Sequence, residues 1–321
     1  MKKVCYIIPR CNTGSDRYYE LLNKNIHNTK LIYLPRYCKI FPPLILFWKR
    51  FSTDFQDAEI IHTNLDFVYF LQSSGKKIIG TLHHDIFDKN YFKELSLWKK
   101  IYHSFFSKIY FYLWKKSAYR IILVDENYTL SQKEEFKDKY IHIQNGIDLG
   151  EIRKYKSVKK EKKCKKILFI GKKNKRKWWD VVLDIVNSGL LPQNYVIYCT
   201  NPDRSAKKKQ IQKNLKDLWY LSREKLIRNM WESDLLFCPS RIEWFSYTIA
   251  ESLACKCPVL SRKDWAWFST KTWLFHSMID IDNSSKTIKK MIDIITNKKW
   301  NTYKHQNNIL RCCHEYKKIY Q

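Results

Sequence analysis

The chain has 321 residues, of which 45% are hydrophobic, and 60 Lys and Arg against 31 Asp and Glu give a formal net charge of +29. The hydrophobic content excludes a disordered chain, and the length allows two domains of ordinary size with their own cores. The positive charge attracts nucleic acid, anionic lipid or an anionic substrate, and by itself does not distinguish among them.

Short strand-like runs alternate with helical stretches over residues 1–150. The runs cover residues 4–8, 30–34, 60–62, 78–82, 121–124 and 141–143. This alternation predicts a first domain of the α/β class with a doubly wound parallel sheet.

Two stretches of this domain, 41–51 and 97–116, mix aromatic residues with Lys and Arg. Charges recur too often for a transmembrane helix, which needs ~20 apolar residues. The longer stretch suits a helix that lies in a bilayer interface with its basic groups on anionic headgroups. Its apolar stripe equally suits packing on the domain's own sheet. The predicted membrane contacts are Trp48, Trp98, Lys99, Lys100, Phe105, Phe106 and Trp114.

Residues 154–166 are rich in Lys with almost no large apolar residues, and the Lys-rich segment 151–166 is predicted to be a solvated linker. Beyond it, further strand-like runs predict a second Rossmann-like domain over 167–299. These runs lie at 168–170, 195–199, 217–220, 235–238 and 258–261. The end of the chain, from about 300 to 321, is predicted to be helical.

The ten cysteines lie mostly in apolar stretches without Cys-x-x-Cys spacing, and nothing in the sequence resembles a signal peptide. These features predict reduced thiols in a cytoplasmic protein. Cys255 and Cys257 could bind a metal, but no His or second Cys pair lies near them at zinc-ligand spacing, so no metal is predicted.

Glu243 and Glu251 stand eight positions apart, after the apolar run 235–238. At 100° per residue they lie about 80° out of register, so they do not share one helical face. A helix that begins between them, with Ser246 or Thr248 as its N-cap, leaves Glu243 in the loop at the strand's carboxyl end.

Open α/β sheets bind ligands at that edge, and the free N–H groups of the following helix point at a bound anion. The inferred site takes an anion and a polyol, with N–H groups for phosphates and carboxylates for hydroxyls. Thr248-x-x-Glu251 also fits a capping box, in which Glu251 only satisfies its own helix end. On these residues alone, both interpretations stay open.

The order Pro239-Ser240, Glu243, seven residues, Glu251, then Ala254-x-x-x-Pro258-Val259 resembles the signature of the retaining, GT-B-fold glycosyltransferases called family 4. The resemblance extends along nearly the whole chain. Its other parts are the first strand with Gly14, Thr81-x-His83, Asn145-Gly146 and Gly171-Lys172. It implies a GT-B fold, in which two Rossmann-like doubly wound parallel-sheet domains face a cleft and the terminal helix crosses back to the first domain.

The resemblance also implies roles for single residues in a retaining, metal-independent transfer from a nucleotide-sugar. Glu251 would bind the nucleotide ribose, Glu243 the hydroxyls of the donor sugar, and His83 would lie over the reactive face of the sugar. Glu243 and His83 are thus the predicted catalytic residues. The donor diphosphate would lie among cations, backbone amides and glycines: Gly14, Gly171, Lys172, Lys177, Trp244, Phe245, Ser246 and Tyr247. The acceptor side would hold Ser15, Asp16, His84 and Asp85.

The leading functional hypothesis is a peripheral enzyme at the inner face of an anionic membrane that extends a membrane-anchored glycan. Lipopolysaccharide core, capsule and lipid-linked oligosaccharide are the expected acceptor types. Trp244 and Ser246 replace glycines that are usual in this signature, so Trp244 is expected to reshape the donor sugar subsite. Two alternatives remain: a basic nucleic-acid-binding protein, and a catalytically silent relative that acts as a partner subunit.

Overall fold

The computed structural model describes residues 2–10, 14–35, 37–38, 42–51, 53, 55–72, 75–83, 85, 88–93, 95–125, 128, 134–157, 163–171, 177–200, 213–241, 245–262, 276–279, 283–297 and 308–321. The chain forms two compact units. The N-terminal unit comprises Met1–Ile147 and Asn307–Gln321, and the C-terminal unit comprises Asp148–Gln306.

The N-terminal unit is built on a six-stranded parallel sheet with the order β2-β1-β3-β4-β5-β6. Its strands are β1 (Val4–Pro9), β2 (Thr29–Leu34), β3 (Ile60–Asn64), β4 (Lys77–Leu82), β5 (Arg120–Leu123) and β6 (Tyr140–His142). The inner strands β1, β3 and β4 are buried along nearly their whole length. Helices cover both faces of such a sheet, which is why these strands read as continuous apolar runs.

The longer helices that the structure describes in this unit before β6 are given next. They are α1 (Gly14–Asn25), α2 (Leu44–Phe51), α3 (Val68–Leu71), α4 (Lys89–Lys93) and α5 (Leu97–Ser117). Helices α2 and α5 both pack on α3, so they belong to the same part of the unit. None of the described helices is long and apolar enough to cross a membrane.

The C-terminal unit repeats the scheme with the strand order β12-β11-β10-β7-β8-β9, again parallel. Its elements are α6 (Leu149–Lys154), β7 (Lys165–Phe169), α7 (Trp179–Asn187), β8 (Tyr195–Thr200), β9 (Leu215–Trp219), α8 (Arg223–Glu232), β10 (Leu235–Cys238), α9 (Tyr247–Ala254), β11 (Val259–Arg262), β12 (His276–Ile279) and α10 (Ser284–Thr296). The predicted fold class, two doubly wound parallel sheets, is confirmed. Strand β12 was not predicted.

The segment 151–166 is not a linker throughout. Its first residues continue α6, where Ile152 is buried and Asp148 accepts the N-capping bond from the Glu151 backbone. Its last two begin β7, and Lys166 there is buried. The Lys166 ammonium lies 2.6 Å from the Asn229 amide oxygen and 3.6 Å from Glu232, so a lysine in a polar run is held inside the unit.

The terminal helix α11 (Ile309–Ile319) belongs to the N-terminal unit. The start of this helix contacts the turn after β6. Asn308 forms a parallel β-bridge with Ile147, and the Ile309 N–H donates to the Ile147 carbonyl at 3.0 Å. Gly146 makes this approach possible. A Cβ added there would lie 2.5 Å from Ile309 Cα and 2.7 Å from its nitrogen.

We expect Gly146→Ala to lower the free energy of unfolding by about 1–3 kcal/mol, because the added methyl overlaps backbone that cannot rotate away. Urea unfolding measures the change. Gly150→Ala is the matched control, since its Cβ would meet only the Asp148 side chain at 3.2 Å and a helical Ala is favoured over Gly by about 1 kcal/mol. Equal unfolding midpoints for the Gly146 variant and the wild type would contradict the close approach.

Helix α11 also completes a buried aromatic cluster on the first sheet. Tyr316 and Tyr320 are fully buried, and Tyr316 shares a hydrogen bond with the Tyr18 hydroxyl on α1. His62 of β3 lies 2.6 Å through Nδ1 from the Tyr320 hydroxyl and 2.6 Å through Nε2 from the Thr81 hydroxyl. Burial lowers the pKa of His62 to about 3, so the imidazole is neutral in the folded protein.

Candidate active site

The helix predicted between the two glutamates is α9, and it begins after Ser246. The Ser246 hydroxyl accepts a hydrogen bond from the Ile249 N–H at 3.4 Å, which makes it the N-cap. Glu251 is therefore the fifth residue of the helix and not the third, the position that a capping box requires. The capping interpretation of Glu251 is wrong. Glu243 and Trp244 lie outside the described residues.

The Ser246 N-cap is expected to stabilise the folded protein. We expect Ser246→Ala to lower the free energy of unfolding by about 1 kcal/mol, because the Ile249 N–H loses its acceptor at a buried helix end. Thr248→Ala, which removes the other hydroxyl considered as a cap, is the matched control. Urea unfolding of both variants measures the difference, and an equal loss at the two positions would count against the assignment.

Glu251 is instead held by an arginine from the neighbouring helix. Arg223, the first residue of α8, donates from Nη1 to Glu251 Oε2 at 2.8 Å and from Nη2 to Glu251 Oε1. The same guanidinium donates from Nε and Nη2 to Glu151 Oε2, each at 3.1 Å. One arginine thus joins α6, α8 and α9 around a pair of carboxylates.

The Arg223 triad, which consists of Arg223, Glu151 and Glu251, lies mostly inside the unit. The exposed fraction of the side chain is 3% for Glu251, 15% for Glu151 and 28% for Arg223. Burial alone would lower the pKa of Arg223, but Glu251 and then Glu151 outweigh it and raise that pKa above its ordinary value. Both oxygens of Glu251 are oriented by the guanidinium and keep further lone pairs for hydroxyl donors.

Gly171 and Lys177 come together at the exit of β7. A Cβ on Gly171 would lie 3.3 Å from Lys177 Cγ and 3.4 Å from its Cδ, so the bare glycine leaves room for the lysine stem. Lys172 lies outside the described residues. Phe245 and Tyr247 flank the N-cap and pack edge to face, with ring centroids 5.1 Å apart.

Two arginines that were not predicted lie against Trp178, the residue that follows Lys177 in the chain. The Arg241 guanidinium carbon lies 5.2 Å from the ring centroid of Trp178, and that of Arg262 lies 4.6 Å from it. Arg241 follows β10 and Arg262 ends β11, so both stand at the carboxyl edge of the sheet. Asp180 pairs with Arg241 at 3.7 Å. Two arginine cations therefore lie together at this edge of the sheet.

In the N-terminal unit, His83 follows β4 and lies against α1. Its ring meets Tyr18 edge to face at 4.9 Å between centroids and Tyr19 at 5.7 Å. Gly14 begins α1, and Ser15 and Asp16 lie in its first turn, with Asp16 buried. The structure therefore brings His83 to the helix that carries three of the predicted residues.

Asp85 and Asp125 are both buried, and Asp125 follows β5. Burial raises the pKa of Tyr128, and the charges of Asp125 and Asp85 raise it further. Asp125 stands where the resemblance expects a serine. His84 lies outside the described residues. Within the described part of the chain, no three His, Cys, Asp or Glu side chains converge as a metal would require.

The predicted membrane contacts divide between surface and core. Trp98 is 81% exposed and Phe105 is 65% exposed. Trp114, at 1% exposure, is buried and is not a membrane contact, because it lies on the opposite face of α5. Trp48 stacks on Phe55 at 5.6 Å and is half-buried, as is Lys100. The side chains of Lys99 and Phe106 lie outside the described residues.

Residues 151–265 match the family model described as glycosyl transferases group 1. Three solved structures are similar over almost the whole chain at low sequence identity. HepE from Anabaena, solved with UDP and glucose, has a TM-score of 0.71 at 11% identity and covers 99% of both chains. Sucrose-phosphate synthase from Thermosynechococcus elongatus has a TM-score of 0.68 at 11% identity and covers 100% of this chain and 98% of its own. WaaG, a glycosyltransferase involved in lipopolysaccharide biosynthesis, has a TM-score of 0.61 at 11% identity, with 98% and 94% covered.

A comparison with curated protein sequences finds no match. The two parallel-sheet units together with these structural neighbours define a GT-B fold. The match to the group 1 model lies in the C-terminal unit, and the chain as a whole has the GT-B fold. The resemblance seen in the sequence is confirmed at this level.

Proposed function

We propose that the protein transfers a sugar from a nucleotide-sugar with retention of configuration, and that the C-terminal unit binds the donor. The observation that carries this proposal is Glu251: a carboxylate buried on the first helix past β10, with both oxygens fixed by Arg223. A ribose diol needs oriented acceptors, and a fixed carboxylate supplies them without losing side-chain entropy on binding.

The cations near Trp178 suit the diphosphate of the nucleotide-sugar. Breaking the bond between the sugar and the diphosphate leaves negative charge on the leaving group, so preorganised cations and N–H groups accelerate the reaction. We propose that the diphosphate of the nucleotide-sugar is bound by Lys177 and by the amides at Trp244 to Tyr247. Lys172 joins them on the sequence resemblance. Gly171 keeps the space for Lys177 open.

The retaining step follows the front-face route implied by the resemblance. The bond between the anomeric carbon and the diphosphate oxygen breaks, the acceptor oxygen bonds to the same face of that carbon, and the leaving phosphate takes the acceptor proton. Glu243 would hold the sugar hydroxyls and His83 would lie over the reacting face. No carboxylate nucleophile or metal enters this step.

Screening nucleotide-sugars by thermal shift tests the donor site, since a ligand that binds only the folded chain raises its melting temperature. We expect one base class among UDP-, GDP- and CMP-sugars to stabilise the wild type and to release its nucleotide on turnover. Glu251→Ala should lose both responses. The proposal fails when purified protein neither binds nor turns over any of them.

We propose that the acceptor is a glycan anchored in an anionic membrane, reached through an exposed apolar face of α5. Trp98, Ile101, Phe105, Ile109 and Tyr112 recur at intervals of three and four residues and are 45–81% exposed. They form one stripe on the helix, and the buried Trp114 lies on the side opposite to this stripe. Leu46 and Phe47 on α2 add 52% and 61% exposed side chains in the same part of the unit.

We expect the double variant Trp98→Ser/Phe105→Ser to lose most binding to vesicles that contain anionic lipid, because it removes the largest apolar groups of the stripe. Vesicle sedimentation measures the bound fraction. Leu190→Ser removes a comparably exposed side chain, 56%, from the C-terminal unit and is the control. Equal vesicle binding by the double variant and the control would contradict the membrane face, while activity on a soluble acceptor fragment should be unchanged.

A further inference from the structure

Thr81 and His83 place the end of β4 against helix α1. Residues two apart on a strand lie on the same face of the sheet, and both of these side chains contact Tyr18 of α1. The Tyr18 hydroxyl lies 3.3 Å from the Thr81 hydroxyl. The Tyr18 ring meets the His83 ring edge to face, with 4.9 Å between centroids. One tyrosine therefore contacts both the end of the strand and the predicted catalytic histidine.

The hydroxyl end of Tyr18 is also held by the terminal helix α11. Tyr18 and Tyr316 are buried, and their hydroxyls form a hydrogen bond. Burial raises the pKa of both hydroxyls well above the ordinary value for tyrosine, so both are protonated. Hydrogen bonds to β4 and to α11 thus fix the ring that lies against His83.

The hydrogen bonds around His62 give this network a direction. The Tyr320 hydroxyl donates to the Tyr6 hydroxyl at 3.4 Å, so it accepts from the His62 Nδ1–H, which lies 2.6 Å away. A neutral imidazole has a single N–H. His62 Nε2 therefore accepts from the Thr81 hydroxyl at 2.6 Å.

The direction continues from Thr81 to the terminal helix. Because the Thr81 proton is donated to His62, Thr81 accepts from Tyr18, and Tyr18 in turn accepts from Tyr316. The Tyr316 hydroxyl is thus the first donor of the series. Its removal would take from Tyr18 one of the two hydrogen bonds that fix its hydroxyl.

We propose that Tyr18 and Tyr316 are positioning residues for the sugar transfer: Tyr316 holds Tyr18, and Tyr18 orients the imidazole of His83. This inference rests on the role of His83 in the proposed function. A group that lies over the reacting sugar is most effective when its orientation is fixed before the reaction, since it then needs no rearrangement in the transition state. Edge-to-face packing supplies this orientation, because aromatic pairs prefer a particular angle as well as a particular distance.

Tyr316→Phe removes the hydroxyl that donates to Tyr18 and keeps the ring. We expect kcat to fall about 10-fold and KM for the donor to stay within about 2-fold, because the reacting geometry is disturbed while the proposed donor residues lie in the other unit. Tyr320→Phe is the matched control. It removes an equally buried hydroxyl from the same helix, but one bonded to His62 and Tyr6. Its kcat should match that of the wild type although its stability falls.

Substitution of Tyr18 itself gives a rescue test. Tyr18→Leu removes the ring that lies against His83 and should lower kcat about 100-fold. Tyr18→Phe restores the ring without the hydroxyl and should recover kcat to the level of Tyr316→Phe. Urea unfolding of each variant identifies those that are folded under the assay conditions.

The NMR signal of the His83 ring, assigned by its loss in His83→Ala, gives a readout that needs no turnover. It should shift in Tyr316→Phe and keep its wild-type position in Tyr320→Phe. Wild-type kcat or an unshifted His83 signal in Tyr316→Phe, or equal kcat losses in both of these variants, would overturn the positioning role and leave the proposed function standing. A wild type that turns over no nucleotide-sugar, or a His83→Ala variant with wild-type kcat, would instead overturn the proposed function.

Discussion

Replacing Arg223 with alanine is expected to lower the free energy of unfolding by about 3 kcal/mol and to lower kcat/KM for the donor about 100-fold. The stability loss follows because Glu251, at 3% exposure, keeps a buried charge without its partner. The activity loss follows because the carboxylate is no longer fixed, and small displacements of a binding group cost large factors in rate. Urea unfolding and initial-rate kinetics with varied donor measure the two effects.

A second substitution separates stability from donor binding. The double variant Arg223→Ala/Glu251→Gln removes the orphaned charge, so it should regain part of the stability but none of the donor affinity. Arg228→Ala is the matched control on the same helix, because its ion pair with Glu224 is about half exposed on both sides and such pairs contribute about 0.3–0.5 kcal/mol. Equal losses for the Arg223 and Arg228 variants would contradict the structural role of the triad.

Acid is expected to destabilise the N-terminal unit through His62. The unfolded chain takes up a proton below a pKa of about 6.5, whereas the folded chain does so only near a pKa of about 3. As far as His62 is concerned, stability is therefore constant above pH 6.5. Below that pH it falls by about 1.4 kcal/mol per pH unit, by up to about 5 kcal/mol in all. Unfolding midpoints measured from pH 7.5 to pH 4.5 test this slope.

The variant His62→Gln keeps hydrogen-bonding capacity toward Tyr320 and Thr81 but does not titrate. Its stability should be lower at pH 7.5 and should fall less steeply below pH 6.5 than that of the wild type. His314→Gln changes an exposed histidine on α11 and should leave the wild-type slope unchanged. An identical slope for all three proteins would show that His62 does not govern the acid response.

Much of the fold was readable because buried parallel strands are short apolar runs. β1, β4, β8 and β10 begin and end within about two residues of their predicted limits. The order of the short motifs along the chain indicated a fold with two parallel sheets. β12 was missed because its four residues, His276–Ile279, form too short a run to stand out. Trp114 was misassigned because periodicity does not say which of two apolar stripes on α5 packs inward.

The candidate site was predicted only in part. Glu251 was chosen from its motif, but its bond to Arg223 joins residues 28 positions apart, and its link to Glu151 reaches across 100 positions. No local pattern encodes such pairs, because they arise from the packing of α6, α8 and α9. The grouping of Arg241 and Arg262 around Trp178 arises in the same way, since each residue comes from a different strand or loop.

The configuration of the transferred sugar tests the central claim most directly. Proton NMR of the first product formed from a nucleotide-sugar should show an anomeric coupling that matches the donor, and the signal should be absent with Glu251→Gln. A product of inverted configuration would contradict the retaining mechanism. Equal product from the wild type and the Glu251 variant would contradict the donor site.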